Sequence, residues 1–371
     1  MQIFEDRRAL HAIPELDLNL PKTMAYLRSA LSRLSCQVFS PSQSALCAFF
    51  DFGQINTIAF RSDADALPIS ENTGLAFVSR HPGCMHACGH DGHMAMLLEL
   101  ARRIDCRTAL PHNILLVFQP AEETIGGAKL ICESGVFGRF QVRAIFGMHL
   151  WPGLVPGAVA SRPGEMMSRS CEVTVHIKGR SSHIARREDG VDALAAGVDF
   201  YQRSQALEHA FPPHVFRLLS FGRMESGEVR NAVSGKTTLY GTLRAFQDET
   251  YCALRRGVED AAVHTDAAFG TRTQIQFSDG YPAVINPPAL YRAAKAAAAF
   301  CELEKPVMIS EDFSWYQKTL PGLFFFLGTG NTPALHADTF DFNEEILLKG
   351  ADFWETLAEN FDTSAMMQIQ R

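Results

Sequence analysis

The order of apolar runs is what most constrains this chain. Strand-like segments around CQVFS, ALCAFFDF, TIAFRSDADALP, ILLVF and AIFGMHL alternate with helical stretches near residues 21 to 34 and 94 to 104. Strands alternating with helices predict an α/β fold on a largely parallel sheet. ILLVFQP has the length and apolarity of a strand buried on both faces and is stopped by Pro120. PGAVASRPGE, with its prolines and glycines, reads as a boundary. After it the order becomes strand CEVTVHIKG, helix VDALAAGVDFYQRSQAL, strands FRLLSFGRME and GKTTLYGTLRAF, helix DETYCALRRGVEDAAVHT and strand RTQIQF. That βαββαβ order is the split βαβ, ferredoxin-like arrangement. Val173, Val175 and Ile177 alternate with Thr174, His176 and Lys178, as on a sheet with one solvated face. Helix and apolar strand return over residues 290 to 371, and AAKAAAAF is a short Ala-rich helix. The pattern therefore predicts a discontinuous domain, residues 1–164 and 280–371, carrying an inserted domain over 165–279. A length of 371 residues, long for one core, agrees.

Cys88, His90, Glu122, Glu123, His149 and His336 are expected where buried strands give way to loops. Open α/β sheets bind ligands beyond the carboxyl ends of their strands. A thiolate, imidazoles and a carboxylate are donors that borderline divalent metals accept, and CGH places Cys88 and His90 on one turn. Met94, Leu97, Leu98 and Ala101 share one helical face, so that turn is expected to precede a helix. His86 and His93 flank the turn, either as competing ligands or as groups that orient the ligands. Glu122 and Glu123 should emerge at the end of ILLVFQ. Neighbouring carboxylates can divide the work, Glu123 holding metal while Glu122 takes a proton from water. His149 is placed at the end of AIFGMHL, and His336 after the loop that follows LFFFLGTG. Singly, each has an ordinary alternative: a polar loop histidine, a solvated helix start, a small buried thiol. Their joint occurrence at strand ends carries the reading.

Composition narrows the partners. With 34 basic against 41 acidic residues, a net charge of -7 and no Lys/Arg run, nucleic acid and anionic membrane are excluded. The N-terminus has no basic segment followed by an apolar core, and no apolar stretch reaches about 18 residues. Nine cysteines without paired spacing suit a reducing compartment. The expected location is cytoplasmic.

HAIPEL, FRSDADALPI, MHACGHDGHM, FQPAEE, GGAKLICESGVF, FGMHL, SEDFSWY and LGTGNTPALH resemble, in order and spacing, the amidohydrolase family of hippurate hydrolase, indole-acetyl-amino-acid hydrolase and N-acetyl-diaminopimelate deacetylase. The resemblance spans nearly the whole chain. It implies a catalytic domain similar to dinuclear zinc aminopeptidases and an inserted lid domain through which homodimers form. It also implies two divalent ions, zinc foremost, with manganese, cobalt or nickel compatible. Cys88, His90, Glu123, His149 and His336 would be the ligands, with Cys88 bridging, and Glu122 the general base. Asp65 matches an aspartate that orients a ligand, and its alternative is a plain turn residue. His183, Asn231 and Arg244 match positions that contact substrate. The chain departs from the family at GRSSHIARRED, where a Gly-Gly-His segment and a Pro-His pair are more usual, so substrate preference does not carry over. SEDFSWY could also be a helix cap at Ser310 with an acidic first turn.

The function expected is hydrolysis of the amide bond of N-acylated amino acids or small peptide-like compounds, of deacetylase or aminoacylase type. His183 would hold the oxyanion, and Arg244 the carboxylate of the leaving amino acid. A dipeptidase or carboxypeptidase is the alternative within the enzyme class. A catalytically silent metal- or ligand-binding protein is the alternative outside it, and the intact carboxylate at Glu122, beyond what a structural metal site needs, argues against it.

Overall fold

Seven consecutive buried residues, Thr57–Asp63, form the central strand of the larger sheet in the computed structural model, which describes residues 1–362. This strand runs parallel to Asn113–Gln119 on one side and to Val142–Pro152 on the other. Gly322–Gly330 adds a further parallel strand beside Val142–Pro152. Asn113–Gln119 and Gly322–Gly330 are buried along their whole length, as expected of strands covered on both faces. The parallel pattern stops at the margins. Leu46–Phe50 lies antiparallel to Asn113–Gln119, and Gln37–Phe39 antiparallel to Leu46–Phe50. Val159–Ser161 lies antiparallel to Gly322–Gly330, with Cys301–Glu302 beyond it, giving an eight-stranded mixed sheet. PGAVASRPGE is thus not only a boundary, because Val159–Ser161 belongs to the sheet.

The helices over this sheet bury apolar faces. His90–Asp105 buries Met94, Leu97, Leu98 and Ala101, and Ile346–Asn360 buries Leu347, Ala351, Trp354 and Leu357. Phe60, Phe118, Phe146 and Phe325 join them in one core, each large side chain contributing about 1.5–3 kcal/mol relative to an exposed one. An N-terminal helix, Gln2–His11, was not legible in the apolar pattern, since its buried residues include Asp6, Arg7 and His11.

The chain divides into two compact units. One comprises Met1–Met166, Ile285–Pro306 and the chain from Asp312 onward; the other comprises Met167–Val284 and Val307–Glu311. Val307–Glu311, expected with the larger unit, groups with the inserted one: the Ser168 amide donates to the carbonyls of Val307 and Ile309. Residues 363–371 of the expected 280–371 segment lie outside the described residues.

The inserted unit has a four-stranded antiparallel sheet in the order Arg272–Phe277, Arg169–Lys178, Lys236–Ala245, Arg217–Ser226. Helices Ala193–His209 and Asp248–Phe269 contribute Phe200, Tyr251, Leu254 and Val258 to its core. Val173, Val175 and Ile177 point into that core, and the alternate positions face away from it.

Candidate metal centre

The larger unit brings Cys88, His90, Glu122, Glu123, His149 and His336 together, through four different backbone devices. Cys88 does not follow a strand, contrary to expectation; it ends the long segment after Asp63. His90 does not precede the helix but is its first residue, with Gly89 as N-cap at φ 83°. A Cβ at Gly89 would stand 2.6 Å from Leu150 Cδ1, so glycine is required both by conformation and by space. Glu122 and Glu123 follow the Asn113–Gln119 strand, as expected, after Ala121 turns the chain at φ 56°. Asp65 holds this turn: its Oδ1 accepts from the Glu122 amide at 2.9 Å and its Oδ2 from the Glu123 amide at 3.1 Å. Burial pushes the Asp65 carboxyl up, and these two amides oppose that shift. His149 lies inside the strand rather than at its end, because Val142–Pro152 runs three residues further. His336 sits at φ 66°, fixed by its amide's hydrogen bond to the Ala87 carbonyl at 2.9 Å. A left-handed non-glycine residue costs on the order of 1–3 kcal/mol and is retained where its surroundings over-determine it.

The donor atoms face one another. Cys88 Sγ lies 3.3 Å from both His149 Nε2 and His336 Nε2. Glu123 Oε1 is 3.3 Å from His336 Nε2 and 3.9 Å from His90 Nε2. His90 Nε2 and Glu123 Oε1 are buried without an aligned hydrogen bond, an arrangement that ordinarily costs several kcal/mol. Bond lengths of about 2.0–2.3 Å in a tetrahedral shell separate ligands by roughly 3.3–3.6 Å. The three 3.3 Å spacings match that separation, and the 3.9 Å one between Glu123 and His90 is wider. Wholly within the larger unit, the described residues give three donor groups: Asp63, His90, His93 and His149; Cys88, Glu123 and His336; and His90, Glu122 and Glu123. Cys88 Sγ touches His149 of the first group and His336 of its own.

Electrostatics prepare these groups unequally. Burial pushes His149 down to about 3 and lowers His90, which disfavours the charged imidazole at both. The carboxylate of Glu123 raises His336. Burial, then Glu123, pushes the Cys88 thiol well up, so a thiolate there requires a compensating cation.

Of the two flanking histidines, His93 is close to the donors, yet both its nitrogens are engaged. Nδ1 donates to Asp63 Oδ1 at 2.6 Å, and Nε2 accepts from the Leu150 amide at 2.9 Å. The Leu150 carbonyl in turn accepts from His149 Nδ1 at 2.7 Å, which fixes the His149 tautomer and aims its Nε2 at Cys88. His93 is thus tied to Asp63 and, through Leu150, to the strand that carries His149. His86 belongs to none of the donor groups among the described residues.

Sequence reasoning missed the layer beneath. Arg61, fully buried, donates to Asp63 at 3.0 Å, Asp312 at 2.9 Å and Gln119 at 2.8 Å. Asp312 also accepts from Gln119 and the Ala128 amide. SEDFSWY is thus not a helix cap at Ser310: the helix is Ser314–Thr319, with Phe313 at its N-cap. A signal was present in FRSD, where Arg61 and Asp63 share one face of a strand otherwise fit for burial.

The inserted unit treats its candidates differently. His183 and Asn231 are exposed neighbours: His183 bridges to Ala232, and the Ile184 amide donates to the Asn231 carbonyl. Arg244 lies toward the other end of the same sheet, opposite Ser170, and donates to the Met308 carbonyl. Eight residue steps, about 25 Å, separate Arg244 from Lys236 along the strand, and His183 lies beyond the Lys236 end.

A model of peptidase family M20/M25/M40 matches residues 59–360. An uncharacterized hydrolase of Staphylococcus epidermidis is 33% identical over 371 residues, covering 96% of this chain and 97% of that protein. A structure from methicillin-resistant Staphylococcus aureus, described as an aminohydrolase, matches with a TM-score of 0.89 and 28% identity, covering 96% of this chain and 95% of that one. The Bacillus subtilis YXEP protein, described as a dinuclear metal-binding peptidase of the M20 family, matches with a TM-score of 0.84 and 30% identity, covering 96% of each chain.

Proposed function

The chain belongs to peptidase family M20/M25/M40, and from that premise we propose that it is a metal-dependent amidohydrolase cleaving the amide bond of N-acylated amino acids or small peptide-like compounds. The observation that carries this reading is the mostly buried set of opposed donors with Glu122 beside it. Cys88, His90, Glu123, His149 and His336 would hold two divalent ions, zinc foremost and manganese, cobalt or nickel also suited to the donors. Such ions supply Lewis acidity and make water nucleophilic at neutral pH.

The chain's own groups do the rest. Glu122 accepts a proton from the attacking water and delivers it to the leaving amine nitrogen. Asp65 keeps Glu122 and Glu123 in register by binding both their amides. Arg244 receives the carboxylate of the leaving amino acid, and His183 and Asn231 hold the oxyanion end of the substrate. Because Arg244 and His183 lie toward opposite ends of one sheet, a small substrate touching both takes them from two copies of the chain. A homodimer through the inserted unit is supported by the exposed stripe Leu194, Val198 and Tyr201 on one helix and by the edge strand Arg217–Ser226. No helix among the described residues is long and apolar enough to cross a membrane.

The test is hydrolysis by the metal-replete protein of a panel of N-acetyl, N-benzoyl and longer acyl amino acids beside free-amine dipeptides. Turnover of the acylated set supports the proposal. Turnover of dipeptides alone would make the protein a dipeptidase, and none at all would leave it a binding protein.

A further inference from the structure

The helix-free face of the inserted unit carries a row of cations. Lys178 stands opposite Lys236 on one neighbouring strand and opposite Arg272 on the other. All three are exposed, and each follows or precedes a residue turned to the helices, as Ile177 and Thr237 are. Among the described residues none of the three makes an ion pair or side-chain hydrogen bond. Like charges placed directly across a sheet destabilise it. The row is not part of a generally basic surface, since the chain carries a net charge of -7.

The row opens into a cavity of about 830 Å³ lined by His176, Lys178, Arg180, Lys236, Arg272 and Gln274 among others, with no carboxylate in its wall. Glu225, on the same face opposite Thr238, is already paired with Arg223. Glu228 lines a neighbouring depression, which shares His176, Gly235 and Lys236 with this cavity. Adjacent strands lie about 4.8 Å apart, so the three charges span about 10 Å. That span matches a small molecule with two or more anionic groups better than a monatomic ion.

We propose that Lys178, Lys236 and Arg272 form a binding site for a small multivalent oxyanion, one bearing at least two phosphate or carboxylate groups. The site lies wholly within the inserted unit and does not depend on the metal centre or its chemistry. Arg272 supplies a planar fork and the two lysines point charges, a combination suited to several oxygens at once.

The experiment uses the full chain and the fluorescent trisulfonate pyranine, which scarcely chelates metals, followed by anisotropy at constant ionic strength. Saturable binding is expected, displaced by pyrophosphate or by tricarballylate. Displacement by pyrophosphate alone identifies a phosphate ligand, by tricarballylate alone a carboxylate ligand, and by both a site that reads charge spacing; each supports the proposal. Lys178→Gln/Lys236→Gln/Arg272→Gln should weaken binding at least about tenfold, since exposed pairs contribute little singly but act here together. Lys178→Arg/Lys236→Arg should retain it. Non-saturable binding, binding that neither anion displaces, or equal binding by the parent and the folded triple-Gln variant would overturn the assignment.

Discussion

The two units hold their polar residues under opposite conditions. In the larger one, the candidate site residues are mostly buried and each is held by a second group: Asp65 under Glu122 and Glu123, His93 and Leu150 behind His149, Arg61 under Asp63 and Asp312. In the inserted one, His183 and Asn231 are exposed on a loop, and Arg244 is tied to a backbone carbonyl, that of Met308. Burial forces polar groups to find partners, so the larger unit displays its chemistry in its own hydrogen bonds. Exposed groups are satisfied by water, and what they are for depends on what comes to meet them.

The contrast breaks first at the metal centre. Chelation should abolish hydrolysis, and divalent metal should restore it; unchanged turnover by protein shown metal-free by elemental analysis would remove the reason for the buried donors. Glu122→Gln should keep the metal and lose about 10²- to 10⁴-fold in kcat, whereas Glu123→Gln should lose metal. Equal metal loss in both variants would mean that the base and the ligand have been exchanged.

Arg61→Met leaves Asp63 and Asp312 buried without their cation. It should cost about 3–5 kcal/mol in urea unfolding, while Arg244→Met in the inserted unit should change stability little. Similar losses at both positions would erase the difference between the units. His183→Ala should lower turnover by about 10²- to 10³-fold. Mixing it with Glu122→Gln under conditions of subunit exchange should recover activity, because one site of the heterodimer keeps both residues. An exchanged but inactive mixture would return His183 to its own chain's site or remove it from catalysis.

The smallest effect expected is a pH dependence of stability in the larger unit. Burial opposes charge on His11, but Asp91 at 2.9 Å and Glu71 at 3.2 Å overcome it and raise the imidazole to about 9. A raised pKa contributes stability that is complete below the unfolded value near 6.5 and is lost as pH rises through about 9. The melting temperature should fall over that interval, and His11→Gln should flatten the fall. Identical profiles for both proteins would show that His11 is uncharged at neutral pH.

Much of this arrangement was legible in the chain. Doubly covered strands have to be apolar throughout and one-sided strands have to alternate, so ILLVF and CEVTVHIK announced two different sheets. Cys88, His90, Glu122, Glu123, His149 and His336 stood out because metal-binding residue types are conspicuous beside apolar runs. What periodicity could not show is which polar side chains meet beneath those runs. Asp63, 30 residues from His93, and Arg61, 251 residues from Asp312, are joined only by folding. A buried charge leaves no periodic trace in sequence, because its partner is fixed by strand order and not by spacing. The sequence determined the metal-binding residue types beside the apolar runs and the change from one fold pattern to another. The tertiary structure decided that both nitrogens of His93 meet Asp63 and the Leu150 amide, that Ser310 does not begin the Ser314–Thr319 helix, and that His183 and Arg244 lie toward opposite ends of one sheet. Each of those depends on which strands are neighbours and in what register.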